Sequence, residues 1–159
     1  MQRRTFLILA GASALAPAWA LAATASPVDV VTALYHLYAG PKGDYSSVSF
    51  DDRRVAALFT KSLRDAMKAM YARSKKSGDV ILDFDPVTDS QDPAVDRLSI
   101  ASESESESVV AATFYSRDDK RVVRYVFKNE GGAWRIDDLS GGQGADKWDL
   151  RDIIKPGAK

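Results

Sequence analysis

The residues that could form a small binding site are a group of aromatic side chains and one aspartate. Tyr35 and Tyr38 share a segment with helical spacing, whereas Tyr125, Trp134 and Asp138 lie in segments rich in β-branched and aromatic residues. If Trp134 points toward the core, the alternation of side chains along a strand directs Asp138 the same way. Buried carboxylates with altered pKa values are common at functional sites. These five residues could therefore line a pocket for a small, mostly apolar ligand that makes one polar contact.

The same residues also fit a structural interpretation. Aromatic side chains at such spacings usually belong to the core, and Asp138, at the end of its strand, could bond to a turn or pair with an arginine. The one histidine, His36, shares a helical face with Asp29 and Thr32. A general base needs a neighbour that tunes and orients it. We therefore assign no catalytic residue.

Four aspartates raise the question of a calcium site. Asp83 and Asp85 have a suitable spacing, but Val87 stands where a third oxygen ligand is needed, and no glycine or bidentate glutamate follows at the required positions. Together with Asp89 and Asp92, they are better explained as turn-forming and helix-capping residues. The chain also lacks a glycine-rich phosphate loop and a dinucleotide fingerprint, so we predict no metal site and no cofactor.

The charges are distributed unevenly along the chain. Residues 51–76 contain eight lysines and arginines and three aspartates, whereas residues 79–107 contain nine acidic residues and one arginine. The two segments could face each other or cover separate solvated faces. Alternatively, they could form a polar surface that docks a partner. The Ser-Glu run at 102–108 is best interpreted as an exposed hairpin edge, where charge discourages association between strands.

The elements that would position these residues are three helices followed by an antiparallel meander. Ser26 and Thr60 are suitable helix caps, the first of them followed by Pro27, and a further short helix should begin near Asp52. Three runs rich in β-branched and aromatic residues between 108 and 139 are separated by polar or glycine-containing turns. The aromatic side of such a sheet must be covered, and the earlier helices are the available cover.

The first residues resemble an export signal. Arg3 and Arg4 precede an apolar, alanine-rich run and a cleavage-type triplet that ends at Ala22. The twin arginine with Phe6 and Leu7 resembles the twin-arginine signal, although a general secretory signal remains the alternative. The apolar run is too short to span a membrane. We therefore predict a cleaved signal peptide over residues 1–22 and a single α+β domain over residues 23–159, soluble in the periplasm.

Composition excludes several classes of protein. The chain contains no cysteine, which excludes a disulfide framework, a thiolate metal site and a cysteine nucleophile. Its formal net charge is zero, and loss of Arg3 and Arg4 with the signal would make it slightly negative. Nothing in this balance suggests binding to nucleic acid.

The order of elements resembles the nuclear-transport-factor-two-like (cystatin-like) superfamily, in which helices pack against a strongly curved, cone-shaped antiparallel sheet. The segment Gly132–Leu139 carries most of the resemblance, and the segment Pro27–Tyr38 fits the first helix. Within the superfamily, Leu82–Pro86 followed by Gln91 and Asp92 is similar to the exported bacterial domain-of-unknown-function family 3828. The resemblance implies a fold and export but no activity. By analogy with relatives that pair through the outer sheet face, it also allows a homodimer.

Together these observations predict a non-catalytic module that binds a small apolar ligand or an envelope protein partner. The alternative is a small pocket enzyme (an isomerase, dehydratase or hydrolase) with Asp138 as base and a tyrosine as acid. A deep pocket that contains Asp138 beside a tyrosine would favour the enzyme, and an interior filled by side chains would favour the binding module.

Overall fold

The computed structural model describes residues 25–40, 43–104 and 108–157, so the predicted signal peptide lies outside the described residues. The described ranges form four α-helices and one five-stranded antiparallel sheet. In chain order the elements are α1 (Pro27–Ala39), α2 (Arg53–Ala56), α3 (Lys61–Ser77), β1 (Asp96–Ser102), β2 (Val109–Ser116), β3 (Asp119–Glu130), β4 (Ala133–Gly141), β5 (Trp148–Asp149) and α4 (Leu150–Ile154). The α+β class predicted from the sequence is confirmed.

The predicted helix caps form as expected. The Ser26 hydroxyl accepts the Asp29 N–H at 3.2 Å, and the Asp29 carboxylate accepts the Ser26 N–H at 2.9 Å, which completes a capping box. Thr60 caps α3 by accepting the Leu63 N–H at 3.1 Å. Gly78, with a φ of 81°, ends the same helix in the left-handed conformation.

The sheet is the predicted meander, with the strand order β1-β2-β3-β4-β5. Along β3, Val123, Tyr125 and Phe127 are buried, while Arg124 and Lys128 are exposed. This alternation defines an inner face, covered by α1 and α3, and an outer face. The sheet is not strongly curled.

A β-bulge interrupts the last long strand. Val126 pairs with Asp138, but the next residue of β3, Phe127, pairs with Ile136, so Asp137 is an extra residue on β4. Directly paired residues share a face of the sheet, and Val126 is 38% exposed, so Asp138 lies on the outer face. The expectation that Asp138 points inward with Trp134 is therefore wrong, because the bulge between Ile136 and Asp138 reverses the alternation.

The bulge residue joins the sheet to the helices. Asp137 is 5% exposed, and its Oδ1 accepts the Thr60 hydroxyl at 2.8 Å. Its carboxylate also pairs with Lys128 Nζ and with an Arg151 guanidinium nitrogen, both at 2.7 Å. Burial opposes ionisation of Asp137, but the bonds from Lys128, Thr60 and Arg151 outweigh it and hold the pKa of Asp137 below its usual value.

Candidate functional site

Three of the five predicted site residues meet in the interior. Tyr35 and Tyr38 of α1 and Tyr125 of β3 are 0% exposed. The Tyr125 hydroxyl donates to the Tyr35 hydroxyl at 3.2 Å, and the Tyr35 hydroxyl donates to the Val87 carbonyl oxygen at 2.8 Å. The rings of Tyr35 and Tyr125 pack edge to face, with their centroids 6.4 Å apart. The tyrosines therefore fill the space between α1 and the sheet with a connected polar chain.

These hydroxyls are neutral hydrogen-bonding groups. Burial raises the pKa values of Tyr35, Tyr38 and Tyr125 well above the ordinary tyrosine value. The Tyr38 hydroxyl contacts the Val48 carbonyl oxygen at 3.3 Å and lies beside the carboxylate of Asp85. Burial also raises the pKa of Asp85, although bonds from backbone N–H groups and hydroxyls oppose that rise. Ionised groups are disfavoured throughout this cluster.

A loop at Asp85–Ser90, which we call the covering loop, closes over the tyrosines. Its backbone forms a bridge between Asp85 and Ser90, and Asp85 Oδ1 accepts the N–H of Val87 at 2.8 Å. Val87 and Thr88 are both 0% exposed, which is unusual for a polar connecting segment. The sequence predicted an irregular segment here, but it did not reveal that the segment packs into the core.

The covering loop is fixed to the sheet through Asp89. This residue is 9% exposed and has a φ of 48°, a conformation that is uncommon outside glycine. Its Oδ1 accepts the indole N–H of Trp148 at 2.6 Å, and its Oδ2 lies 3.5 Å from a guanidinium nitrogen of Arg121. Trp148 also packs edge to face against Phe84. The sequence interpretation treated Asp89 as a turn-forming or helix-capping aspartate and did not identify the roles of Trp148 and Arg121.

The other two predicted site residues lie away from the tyrosine chain. Trp134 is half-buried at the edge of the core and pairs across the sheet with Asn129. Asp138 accepts the N–H groups of Leu139 and Arg151 at 2.8 and 3.2 Å. Burial and the neighbouring charge of Asp149 raise the pKa of Asp138 to about 6. The structure thus brings Asp138 to a second carboxylate rather than to a tyrosine.

The remaining candidate residues have separate partners. Asp83 lies 3.4 Å from the Gln91 amide, and Asp92 pairs with Arg117 at 3.1 Å. His36 is exposed in the last turn of α1. Within the described ranges, no group of three or more acidic or histidine side chains is arranged to hold a metal ion. Also within those ranges, no helix combines the length and apolar character needed to cross a bilayer.

A surface groove provides a second candidate site. It has a volume of about 830 Å³ and is lined by residues from α3, from the segment after it and from α4. Its lining includes apolar side chains flanked by cations: Val80, Ile81, Phe84, Ile153, Arg73 and Lys76. Val80 is 74% exposed. We call this feature the α3 groove; Asp79 and Asp83 also line it.

The positive charge of α3 is not neutralised by the acidic segment that follows it. The helix carries six cations against one aspartate, Asp65, which pairs with Lys61 at 2.5 Å. Members of the acidic segment pair instead with the β2–β3 hairpin, as in the contacts Asp92–Arg117 and Glu103–Arg124. Between described residues, no ion pair joins the segment 51–76 to the segment 79–104. The two charged segments are therefore not joined by ion pairs, although both contribute side chains to the α3 groove.

No protein-family model matches the chain, and comparisons with curated proteins and with solved structures find no significant similarity. The candidate sites are therefore defined by the geometry and chemistry of this chain.

Proposed function

We propose that this domain is a non-catalytic binding module that docks an acidic polypeptide segment in the α3 groove. The observation that supports this proposal most is that the partly apolar groove lies beside α3, a helix that carries six cations and one aspartate. An apolar side chain of the partner would enter beside Val80 and Phe84, while its carboxylates would lie along α3. Charge complementarity of this kind steers association and selects partners.

The interior supports a binding role over a pocket enzyme. The three tyrosines that could have lined an active site are 0% exposed and bonded to one another or to backbone carbonyls. A substrate would have to displace the covering loop before reaching them. The α3 groove, in contrast, is open to partners in the folded chain, and its exposed Val80 offers an apolar anchor point.

Selection from a random peptide library tests this proposal. We expect enrichment of peptides that combine glutamate or aspartate with an aromatic or aliphatic residue. Val80→Glu should weaken their binding by about tenfold or more, because it removes an apolar contact and adds a repulsive charge. Val80 is exposed, so Val80→Glu should not unfold the domain, and the same holds for the charge reversal at the exposed Lys76 described next.

A matched charge reversal provides the control. Lys76→Glu changes a cation that lines the groove, whereas Lys147→Glu makes the same change at an exposed lysine elsewhere. We expect the first variant to weaken binding and the second to leave it unchanged. Equal losses in both variants would indicate unspecific attraction, and selected peptides that are basic would contradict the proposal.

The enzyme alternative would depend on a different aspartate from the one predicted. Asp85, not Asp138, lies beside Tyr38, and burial raises the pKa of Asp85 above the usual carboxyl value. An isomerase, dehydratase or hydrolase activity that disappears in both Asp85→Asn and Tyr38→Phe would favour this alternative. Full activity in these variants would exclude the pair.

We also propose that the chain is related to the nuclear-transport-factor-two-like superfamily and that it is exported to the periplasm. The order of helices followed by an antiparallel meander supports the kinship, and the arginine pair at residues 3 and 4 supports export. Export is tested by following cleavage in cells. A mature chain that begins near Ala23 is expected, and replacement of both arginines by lysine should abolish export if the twin-arginine route is used.

A further inference from the structure

Val87 occupies the interior in the way that a bound molecule would. Its carbonyl oxygen accepts the Tyr35 hydroxyl at 2.8 Å, and the residue is 0% exposed. Behind Tyr35, the hydroxyl of Tyr125 extends the same hydrogen-bonded chain. The covering loop thus presents one apolar group and one neutral acceptor to a pair of buried donors.

The closed position of the covering loop leaves polar groups unsatisfied. Among the described residues, the buried Thr88 hydroxyl oxygen and the buried Nε of Arg121 have no hydrogen-bond partner. Asp89, next to Thr88, adopts its left-handed backbone conformation in the same loop. Each of these features opposes closure, since buried unpaired polar groups and strained backbones both cost free energy. The contacts of Asp89 with Trp148 and Arg121 oppose opening.

We propose that the covering loop is a displaceable lid over an interior site for a neutral, apolar molecule that carries a carbonyl oxygen. Such a molecule would take the place of Val87 and accept the Tyr35 hydroxyl. A carboxylate of the same shape would be excluded, because it would have to be buried beside the Asp85 carboxyl and the desolvated tyrosines. This site is separate from the α3 groove and does not depend on the function proposed for it.

Hydrogen exchange measured on the full chain tests whether the loop opens independently. The relevant amides are those of Val87 and Thr88, which bond to Asp85 Oδ1, and that of Ser90, which bonds to the Asp85 carbonyl. Trp148→Phe keeps an aromatic ring but removes the indole N–H that donates to the Asp89 carboxylate. The loop amides should therefore exchange about tenfold faster in this variant than in the wild type. Amides at the centre of β3 should keep their wild-type rates.

A second variant should act in the opposite direction. Thr88→Val has nearly the same shape and removes the unsatisfied hydroxyl, so the loop amides should exchange about fivefold more slowly. This variant keeps the test decisive even if Trp148→Phe lowers the stability of the whole domain. Loop amides that exchange at the same rate as β3 amides in the wild type and in Thr88→Val would overturn the lid.

The ligand class is tested with two molecules of the same skeleton. 4-Methyl-2-pentanone reproduces the branched side chain, the Cα and the carbonyl of Val87, whereas 3-methylbutanoate carries a carboxylate in the same place. In saturation-transfer NMR, the ketone should bind about fiftyfold more tightly to Trp148→Phe than to Thr88→Val, in proportion to the open population. The carboxylate should bind to neither.

Loss of the Tyr35 donor completes the test. Compared with Trp148→Phe alone, the double variant with Tyr35→Phe should bind the ketone about fivefold or more weakly once each affinity is corrected for the open population measured by hydrogen exchange, because the carbonyl then lacks its hydrogen bond. Equal binding of ketone and carboxylate, or binding that Tyr35→Phe leaves unchanged, would overturn the ligand assignment. Val80→Glu, in the α3 groove, should not affect ketone binding, so failure of one proposal is distinguishable from failure of the other.

Discussion

The pairing of Asp138 with Asp149 predicts an unusual response of stability to pH. Asp138 accepts two backbone N–H groups where β4 approaches α4, and burial with the nearby Asp149 charge raises its pKa from 3.8 to about 6. The folded chain therefore holds this proton more tightly than the unfolded chain. The resulting stabilisation is complete below about pH 4 and is lost as the pH rises to about 6.

The size of the effect follows from the same values. The difference between 3.8 and about 6 corresponds to about 3 kcal/mol if it is fully expressed. Asp138 is half-buried, so screening by solvent reduces the expected contribution to on the order of 1 kcal/mol. The substitution Asp138→Asn imitates the protonated acid, since an amide accepts the same two N–H groups and can donate to Asp149.

Urea unfolding of the wild type and Asp138→Asn at several pH values measures this difference. The two proteins should be equally stable near about pH 4, and the variant should be more stable by on the order of 1 kcal/mol near about pH 7. Comparison of the two proteins removes contributions from other titrating groups that both share. A wild type that is more stable than the variant at neutral pH would refute the reasoning.

Three further substitutions probe the contacts around the candidate sites. Asp137→Asn replaces a buried carboxylate that has three partners and should lower the free energy of unfolding in urea by about 2 kcal/mol. Because the pKa of Asp137 is lowered, the stabilisation by its carboxylate is present above about pH 4 and is lost as the pH falls further. Gly141→Ala places a Cβ 2.6 Å from the Trp148 ring, so hydrogen exchange should report a loosened covering loop. Tyr35→Phe leaves the Val87 carbonyl and the Tyr125 hydroxyl without their partner and should cost about 2 kcal/mol by the same unfolding assay.

The local elements were predictable because their signals are local. Ser26 and Thr60 each cap the helix that follows, and Gly78 ends α3 where the chain needs a left-handed residue. The alternation of side chains along β3 accounts for the burial of Val123 and Tyr125 on the same face. These features depend on neighbours a few positions away, which sequence patterns record directly.

The site was less predictable because it depends on register and on distant contacts. The bulge at Asp137 turned Asp138 away from the tyrosines, and a single inserted residue leaves no mark in a hydrophobic pattern. The position of the covering loop depends on the contact of Val87 with Tyr35 and on those of Asp89 with Arg121 and Trp148, and in each of them the partners lie 32 or more positions apart in the chain. The aspartates of this loop indicated a turn, but their number could not indicate where the turn would pack.

The most direct test of the central claim is to map the binding of a selected acidic peptide by NMR chemical shifts on the full chain. The account predicts that the largest changes occur at residues that line the α3 groove, including Lys76, Val80 and Ile153, and that they decrease with added salt. Changes centred on the outer face of the sheet, or no saturable change at any site, would contradict the proposal that this groove is the docking surface.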